Sequence, residues 1–197
     1  MSLVVAFAGK KKAIVGGDRR SIAFFGQAEE LEKELYSGQI ESDEQLAKRA
    51  QELKAQIAVS DDRDKVWAKD HILVGEVTEL SVDDQRRRRI YATPGGYLLV
   101  DIFNNRAQIR QQGKSTLIIL GNEITKKVAY EQLGNLKVFN ESAIESTFKE
   151  ARKKTVSVSP NFKVISSNKI SPDPQATLHQ ALLQDCEENG WKVSSPR

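Results

Sequence analysis

The chain of 197 residues has one cysteine, Cys186, and two histidines, His71 and His179. A single cysteine excludes an internal disulfide framework and points to a reducing compartment, the cytoplasm. The histidines stand apart from each other and from the cysteine, so no metal-ligand spacing exists and no metal or other cofactor is expected. Cys186 lies within Gln184-Asp185-Cys186-Glu187-Glu188, an acidic setting that disfavours the thiolate, and reads as structural. No apolar run approaches the eighteen or so residues of a membrane span, and the longest at the start, Leu3 to Ala8, is too short for a signal peptide. Neither sign of charge dominates. Thirty Lys and Arg against 27 Asp and Glu leave a net charge of +3, which does not mark a nucleic-acid binder. Aromatics make up 7%, and none interleave with a basic stripe as single-strand binding would need. Gly113-Lys114-Ser115 is not a phosphate loop, because Gln108 stands where that motif needs its first glycine. No repeat or low-complexity segment is present.

What is there is a soluble globular composition, 39% hydrophobic and 29% charged, long enough for one large domain. The sequence is organised around its beginning. Ser2 is followed by six apolar residues, a Gly9-Lys10 turn, and a second run ending Gly16-Gly17-Asp18-Arg19-Arg20. This reads as a β-hairpin whose first strand is apolar on both faces and so belongs inside a layered domain. Termini are usually loose, so burying this one is unusual. Two registers are open. A three-residue loop centred on Lys10 places Ser2 opposite Asp18. A two-residue loop places Asp18 opposite Leu3, and one side chain turns away. Met removal normally proceeds before a residue as small as Ser, which would give Ser2 both a hydroxyl and a free amine of pKa about 7.7–8.0, suited to act as its base. The competing account makes Ser2 a polar strand end and Asp18-Arg19-Arg20 a solvated turn.

Further along, Gln27 to Tyr36 has helical spacing with Gly38 as its cap. Ser42 and Gln45 form a capping-box pattern ahead of a second helix with an apolar stripe of Leu46, Ala50, Leu53 and Ile57, and both helices are expected on one face of a sheet. Lys65 to Ala68 and Ile72 to Val77 read as strands about a Lys69-Asp70 turn. A turn at Ser81 to Asp84 leads into Arg86 to Tyr91. Tyr97 to Phe103 fits helix or strand. Gln108 to Gln112 and Ser115 to Leu120 read as strands joined at Gly113. Helices are predicted over Asn122 to Leu133, Glu141 to Lys153 and Ala176 to Glu188. Thr155 to Ser159 and Phe162 to Ser166 read as a hairpin around Pro160-Asn161. The run Arg86 to Arg89 alternates its side chains, two solvated and two able to line a cleft, with a solvated edge strand as the simplest reading.

The hydroxyl-led strand, the Gly9-Lys10 turn and Gly16 to Arg20 resemble the start of proteasome β subunits, which are N-terminal-nucleophile hydrolases. The sequence more closely resembles connectase, the proteasome-related protein ligase of methanogenic archaea. Further matches are Leu31-Glu32-Lys33-Glu34-Leu35-Tyr36, Leu73-Val74-Gly75-Glu76-Val77, Tyr91-Ala92-Thr93-Pro94-Gly95 and Gly121-Asn122-Glu123-Ile124-Thr125-Lys126. The resemblance implies an α+β fold, the four-layer αββα sandwich of this superfamily, over residues 1–170, with residues 171–197 a helical extension packed on it. It implies Ser2 as nucleophile, Asp18 as its acidic partner, Lys33 as a positive charge beside it, and Gly95 as the oxyanion donor. Gly121-Asn122 aligns with a Gly-Ser pair that supports the nucleophile's amine, Asn122 being a departure.

The implied activity is transpeptidation without a cofactor. The partner is a protein substrate, the A subunit of a methanogen methyltransferase or a chain with the same Lys-Asp-Pro-Gly-Ala motif. It is cut before Pro and rejoined to a chain starting Pro-Gly-Ala. No nucleic acid and no membrane span are expected. Plain peptidase activity by the same residues and a non-catalytic proteasome-like binding protein are the rivals. The family can carry a further C-terminal domain, which is not expected within these residues.

Overall fold

A computed structural model describes residues 3–80, 85–136 and 138–194. The opening apolar run forms β1 (Val4–Ala8), joined to β2 (Ala13–Asp18) by a turn in which Gly9 N–H donates to the Lys12 carbonyl at 2.8 Å. The loop is therefore Lys10-Lys11. The register pairs Ala8 with Ala13 and Val4 with Gly17. This is the second of the two registers open to the sequence: Asp18 lies opposite Leu3 and donates its N–H to the Leu3 carbonyl at 3.1 Å.

The chain continues through β3 (Ser21–Phe25), α1 (Glu29–Ser37), α2 (Asp43–Glu52), β4 (Gln56–Ser60), β5 (Val66–Lys69) and β6 (Ile72–Leu80). Then come β7 (Gln85–Thr93), β8 (Gly96–Phe103), β9 (Arg106–Gly113), β10 (Thr116–Leu120), α3 (Glu123–Leu133) and α4 (Glu141–Lys154). β11 (Phe162–Ser167), α5 (Pro174–Asn189) and β12 (Lys192–Ser194) complete it. The Ser81 to Asp84 turn, like Ser2, lies outside the described residues.

Two sheets face each other, one ordered β10-β1-β2-β11 and the other β12-β9-β8-β7-β6-β5. Val4, Ala6 and Val15 meet Val66, Leu73 and Ile90 between them. The alternate residues Leu3, Val5 and Ile14 point outward to Leu133, Ile144 and Phe148 of α3 and α4. On the far side, Leu98, Val100 and Ile102 pack against Leu178 and Leu182 of α5 and against Trp191. The result is the four-layer αββα sandwich. Its interior strand β1 is buried on both faces, as a strand apolar on both faces must be. Leu3, Val4 and Val5 are each fully buried, and each burial contributes on the order of 1.5–3 kcal/mol, which anchors β1.

Several elements differ from the sequence reading. Tyr97 to Phe103 is a strand, since two ladders are open to it between β7 and β9. β9 and β10 are the two strands read on either side of Gly113, and they belong to different sheets. Ile57 belongs to β4 and not to the α2 stripe. It packs with Phe24, Leu31, Leu35 and Leu46 in a separate small core formed by α1, α2 and the β3–β4 ribbon. Thr155 to Ser159 is a loop whose polar groups take other partners, described below. β7 lies between β6 and β8, so the arginine run is not on an edge strand.

One ion pair ties the hairpin turn to α4. Lys12 Nζ lies 2.7 Å from Glu141 at the helix start and, with Ser166, holds its carboxyl at about 2. The unfolded carboxyl titrates near 4.3, so the pair stabilises above that pH and its contribution disappears as pH falls towards 2. Both groups are about one-third exposed, so the effect is small. Lys12→Met is expected to cost up to about 1 kcal/mol at pH 6 and only a small part of that at pH 2, measured by urea unfolding. An undiminished difference at pH 2 would contradict this origin.

Candidate active site

Asp18 ends β2 with no exposed surface. Its Oδ1 accepts from Leu3 N–H at 2.8 Å and from Lys65 Nζ at 2.9 Å. Its Oδ2 accepts from Arg20 N–H at 2.9 Å and Ser159 N–H at 3.2 Å. Four donors thus fill a carboxylate that would be costly to bury alone. One of them is the first backbone N–H described in the chain.

Lys65 comes from the loop leading into β5 and is itself buried. Its Nζ also donates to the Arg20 carbonyl at 2.6 Å. Burial pushes its pKa below the ordinary lysine value, and the Asp18 charge opposes that shift. Glycine is needed for this approach. A Cβ on Gly17 would stand 2.6 Å from Val66 and 3.3 Å from Lys65 Cβ, while one on Gly16 would meet Ile144 of α4 at 2.7 Å.

Arg20 braces the surroundings. Its guanidinium takes Asp61 in a two-point contact at 2.8 and 2.9 Å, Asp43 at the start of α2 at 2.6 Å, and the Val156 carbonyl at 2.7 Å. These bonds, led by the one to Asp61, raise its pKa further and tie together the three segments around Asp18. The 155–159 loop is held from the other side. Thr155 Oγ1 donates to Ser157 Oγ at 3.0 Å, and Asn122 Nδ2 donates to the same Ser157 oxygen at 3.0 Å. Asn122 caps α3 through Thr125 N–H and follows β10, whose Leu120 pairs with Val4. Buried polar groups therefore crowd one end of β1.

Gly95 is at the other end. It turns the chain from β7 to β8 with a φ of 80°, and its N–H donates to the Gly9 carbonyl at 2.8 Å. Leu3 and Gly9 are separated by the length of β1, roughly 20 Å. A donor already paired at that distance cannot serve an oxyanion beside Asp18, so Gly95 does not take the role expected of it. Lys33 is on α1 with its side chain in solvent, and the lysine against Asp18 is Lys65.

The family model described as "Connectase MJ0548-like, N-terminal domain" matches residues 1–187. The chain belongs to the connectase family. No curated protein matches it. Among solved structures, this connectase-family chain is similar to the HslV of Trypanosoma brucei, with a TM-score of 0.49 at 10% identity, over 85% of this chain and 99% of that one. It is also similar to an Anbu (Gly-1) mutant from Hyphomicrobium sp. strain MC1, with a TM-score of 0.44 at 9% identity over the whole of both chains.

Ser2 precedes the described residues. The Asp18 carboxylate ends β2, in the register that opposes it to Leu3 and not in the one that would oppose it to Ser2. Lys65, Ser157 and Ser159 are additions to the site, and Asn122, already singled out in the sequence, bonds Ser157. In the sequence Lys65 reads only as the first residue of the Lys65 to Ala68 strand, with nothing local to pair it with Asp18. Its one signal is position, directly before the apolar start of a strand. Among the described residues, no group of three or more His, Cys, Asp or Glu could hold a metal ion. None of the described helices is long and apolar enough to cross a membrane.

Proposed function

We propose that this connectase-family chain is a sequence-specific protein ligase. It cleaves Lys-Asp-Pro-Gly-Ala before Pro through Ser2 and joins the upstream part to a Pro-Gly-Ala amine. The carrying observation is the buried Asp18–Lys65 pair that accepts the Leu3 N–H. The Ser2 carbonyl carbon is bonded to that nitrogen, so the proposed nucleophile is the residue next to this contact along the chain. With Met1 removed, the free amine belongs to the residue that precedes Leu3. The positive charge of Lys65 disfavours protonation of the amine and leaves it available as base.

Ser2 Oγ attacks the Asp carbonyl of the substrate, and its own amine takes the hydroxyl proton. The C–N bond to Pro breaks, and the leaving proline nitrogen recovers that proton. The resulting ester passes to the Ser2 amine as an amide, which water attacks slowly, and Oγ regains its proton. The reverse shift reforms the ester for an incoming proline amine. The burial of Asp18 and Lys65 supports a chemistry that restricts water.

Incubation with a Lys-Asp-Pro-Gly-Ala peptide and a Pro-Gly-Ala peptide of distinct mass separates ligation from hydrolysis. The expected product is the upstream fragment joined to the second peptide. An upstream fragment ending in a free aspartate carboxyl, with no joined product, would establish a peptidase instead.

A further inference from the structure

The strands of the larger sheet outrun those of the smaller one. β6 and β7 each have nine residues, against five in β1 and six in β2. The extra length projects on the Asp18 side: Glu76 N–H bonds the Lys65 carbonyl there, whereas Gly95 meets Gly9 at the opposite end. Ile90 is the last β7 residue packed between the sheets. Period-two alternation puts Arg88 and Arg86 on the same face beyond it. Their ladder partners on that face are Asp101 and Phe103 of β8, followed by Gln108 and Arg106 of β9.

This overhang is cationic. Arg86, Arg88, Arg106 and Arg110 are exposed. Asp101 takes Arg88 at 2.6 and 3.1 Å and Arg110 at 2.7 Å, which fixes two guanidinium groups in place. Arg86 lies 5.1 Å over the exposed ring of Phe103. Arg86 and Arg106 make no ion pair with any described side chain. Glu79, opposite Arg86 in the backbone register, is the one other acid on these rows. Positive charge remains in excess. Arginine's planar fork suits carboxylates, and a preformed sheet face pays little ordering entropy to receive them.

We propose that this face docks an acidic segment of the polypeptide substrate, flanking the motif that enters the Asp18 site. The placement of that segment rests on the ligase reading, whereas binding to the face does not. The first test uses Ser2→Ala protein and fluorescence anisotropy with a labelled oligoglutamate peptide, compared with a single-stranded DNA of equal charge. Saturable oligoglutamate binding at low salt is expected, weakened about tenfold in Arg86→Glu/Arg106→Glu and less in Arg86→Gln/Arg106→Gln. Unchanged thermal midpoints verify folding. Unsaturable binding, binding indifferent to these substitutions, or tighter binding of the DNA would overturn the proposal.

The second test compares kcat/KM for the motif extended with glutamates and with serines. The intact protein is expected to prefer the acidic substrate through KM, and the preference is expected to fall towards one in Arg86→Glu/Arg106→Glu. Equal use of both substrates by the intact protein would overturn the proposal. No turnover of either, with oligoglutamate binding intact, supports the docking face and rejects the ligase reading alone.

Discussion

Ser2→Ala is expected to lower ligation of the Lys-Asp-Pro-Gly-Ala peptide by on the order of 10³-fold or more, because it removes the atom that bonds to substrate. The alanine side chain keeps the amine, the chain length and the Asp18–Leu3 contact, so the loss isolates the hydroxyl. Ser2→Cys supplies a different nucleophile at the same position and is expected to retain measurable turnover. Steady-state kinetics on variants whose N-termini have been verified would read both effects. Turnover by Ser2→Ala within tenfold of the original would remove Ser2 from the chemistry, whatever the family membership.

Lys65→Met has the second largest expected effect, a loss of about 100-fold or more in ligation, while Lys33→Met is expected to change it by less than twofold. The contrast follows from placement. Lys65 contacts Asp18 at 2.9 Å, and Lys33 stands in solvent on α1. Removing one member of a buried ion pair also destabilises, by about 3–5 kcal/mol, so lost rate alone would not separate chemistry from folding. The pH-rate profile does. Without the Lys65 charge, the low-pH limb, which reports the amine losing its proton, should move up towards about 7.7–8.0, the unperturbed range of an α-amine, and the amount of folded protein does not alter that midpoint. Stability has its own signature. The lowered Lys65 pKa means that the unfolded chain holds this proton more tightly, so stability rises with pH from the folded value towards about 10.4. That rise should vanish in Lys65→Met. An unmoved rate profile would make Lys65 merely structural.

Local patterns carried much of the architecture. The two-sided apolar run Leu3 to Ala8 placed the first strand inside the sandwich. Ser42, Asn122 and Asn140 each cap a helix whose periodicity was legible, and Gly38 and Gly190 end theirs in the left-handed region. What failed to appear was long-range. Tyr97 to Phe103 is apolar enough for helix or strand, and only its neighbours decide. Thr155 to Ser159 alternates like a strand, yet its hydroxyls and amides are taken by Asn122 and Asp18.

The candidate site divides in the same way. Asp18 could be placed because the hairpin is local, although the register depended on a turn that the sequence left open. Lys65 is 47 residues away from Asp18 in sequence, and no local pattern pairs them. Gly95 sits in a conspicuous Pro-Gly-Gly turn, but a turn's composition does not say which end of the sandwich it occupies. The arginine run resolves by face: Arg89 is buried against Glu76, Asp185 and two tryptophans, while Arg86 and Arg88 remain on the opposite side.

The central claim is that the trimmed N-terminal serine bonds covalently to substrate, and intact-mass spectrometry tests it most directly. The purified protein should be lighter by its initiator methionine. After mixing with the Lys-Asp-Pro-Gly-Ala peptide it should gain the mass of the upstream fragment less water, in a form that survives hydroxylamine, and Ser2→Ala should gain nothing. A protein that keeps Met1, or an adduct of equal size on Ser2→Ala, would contradict the account.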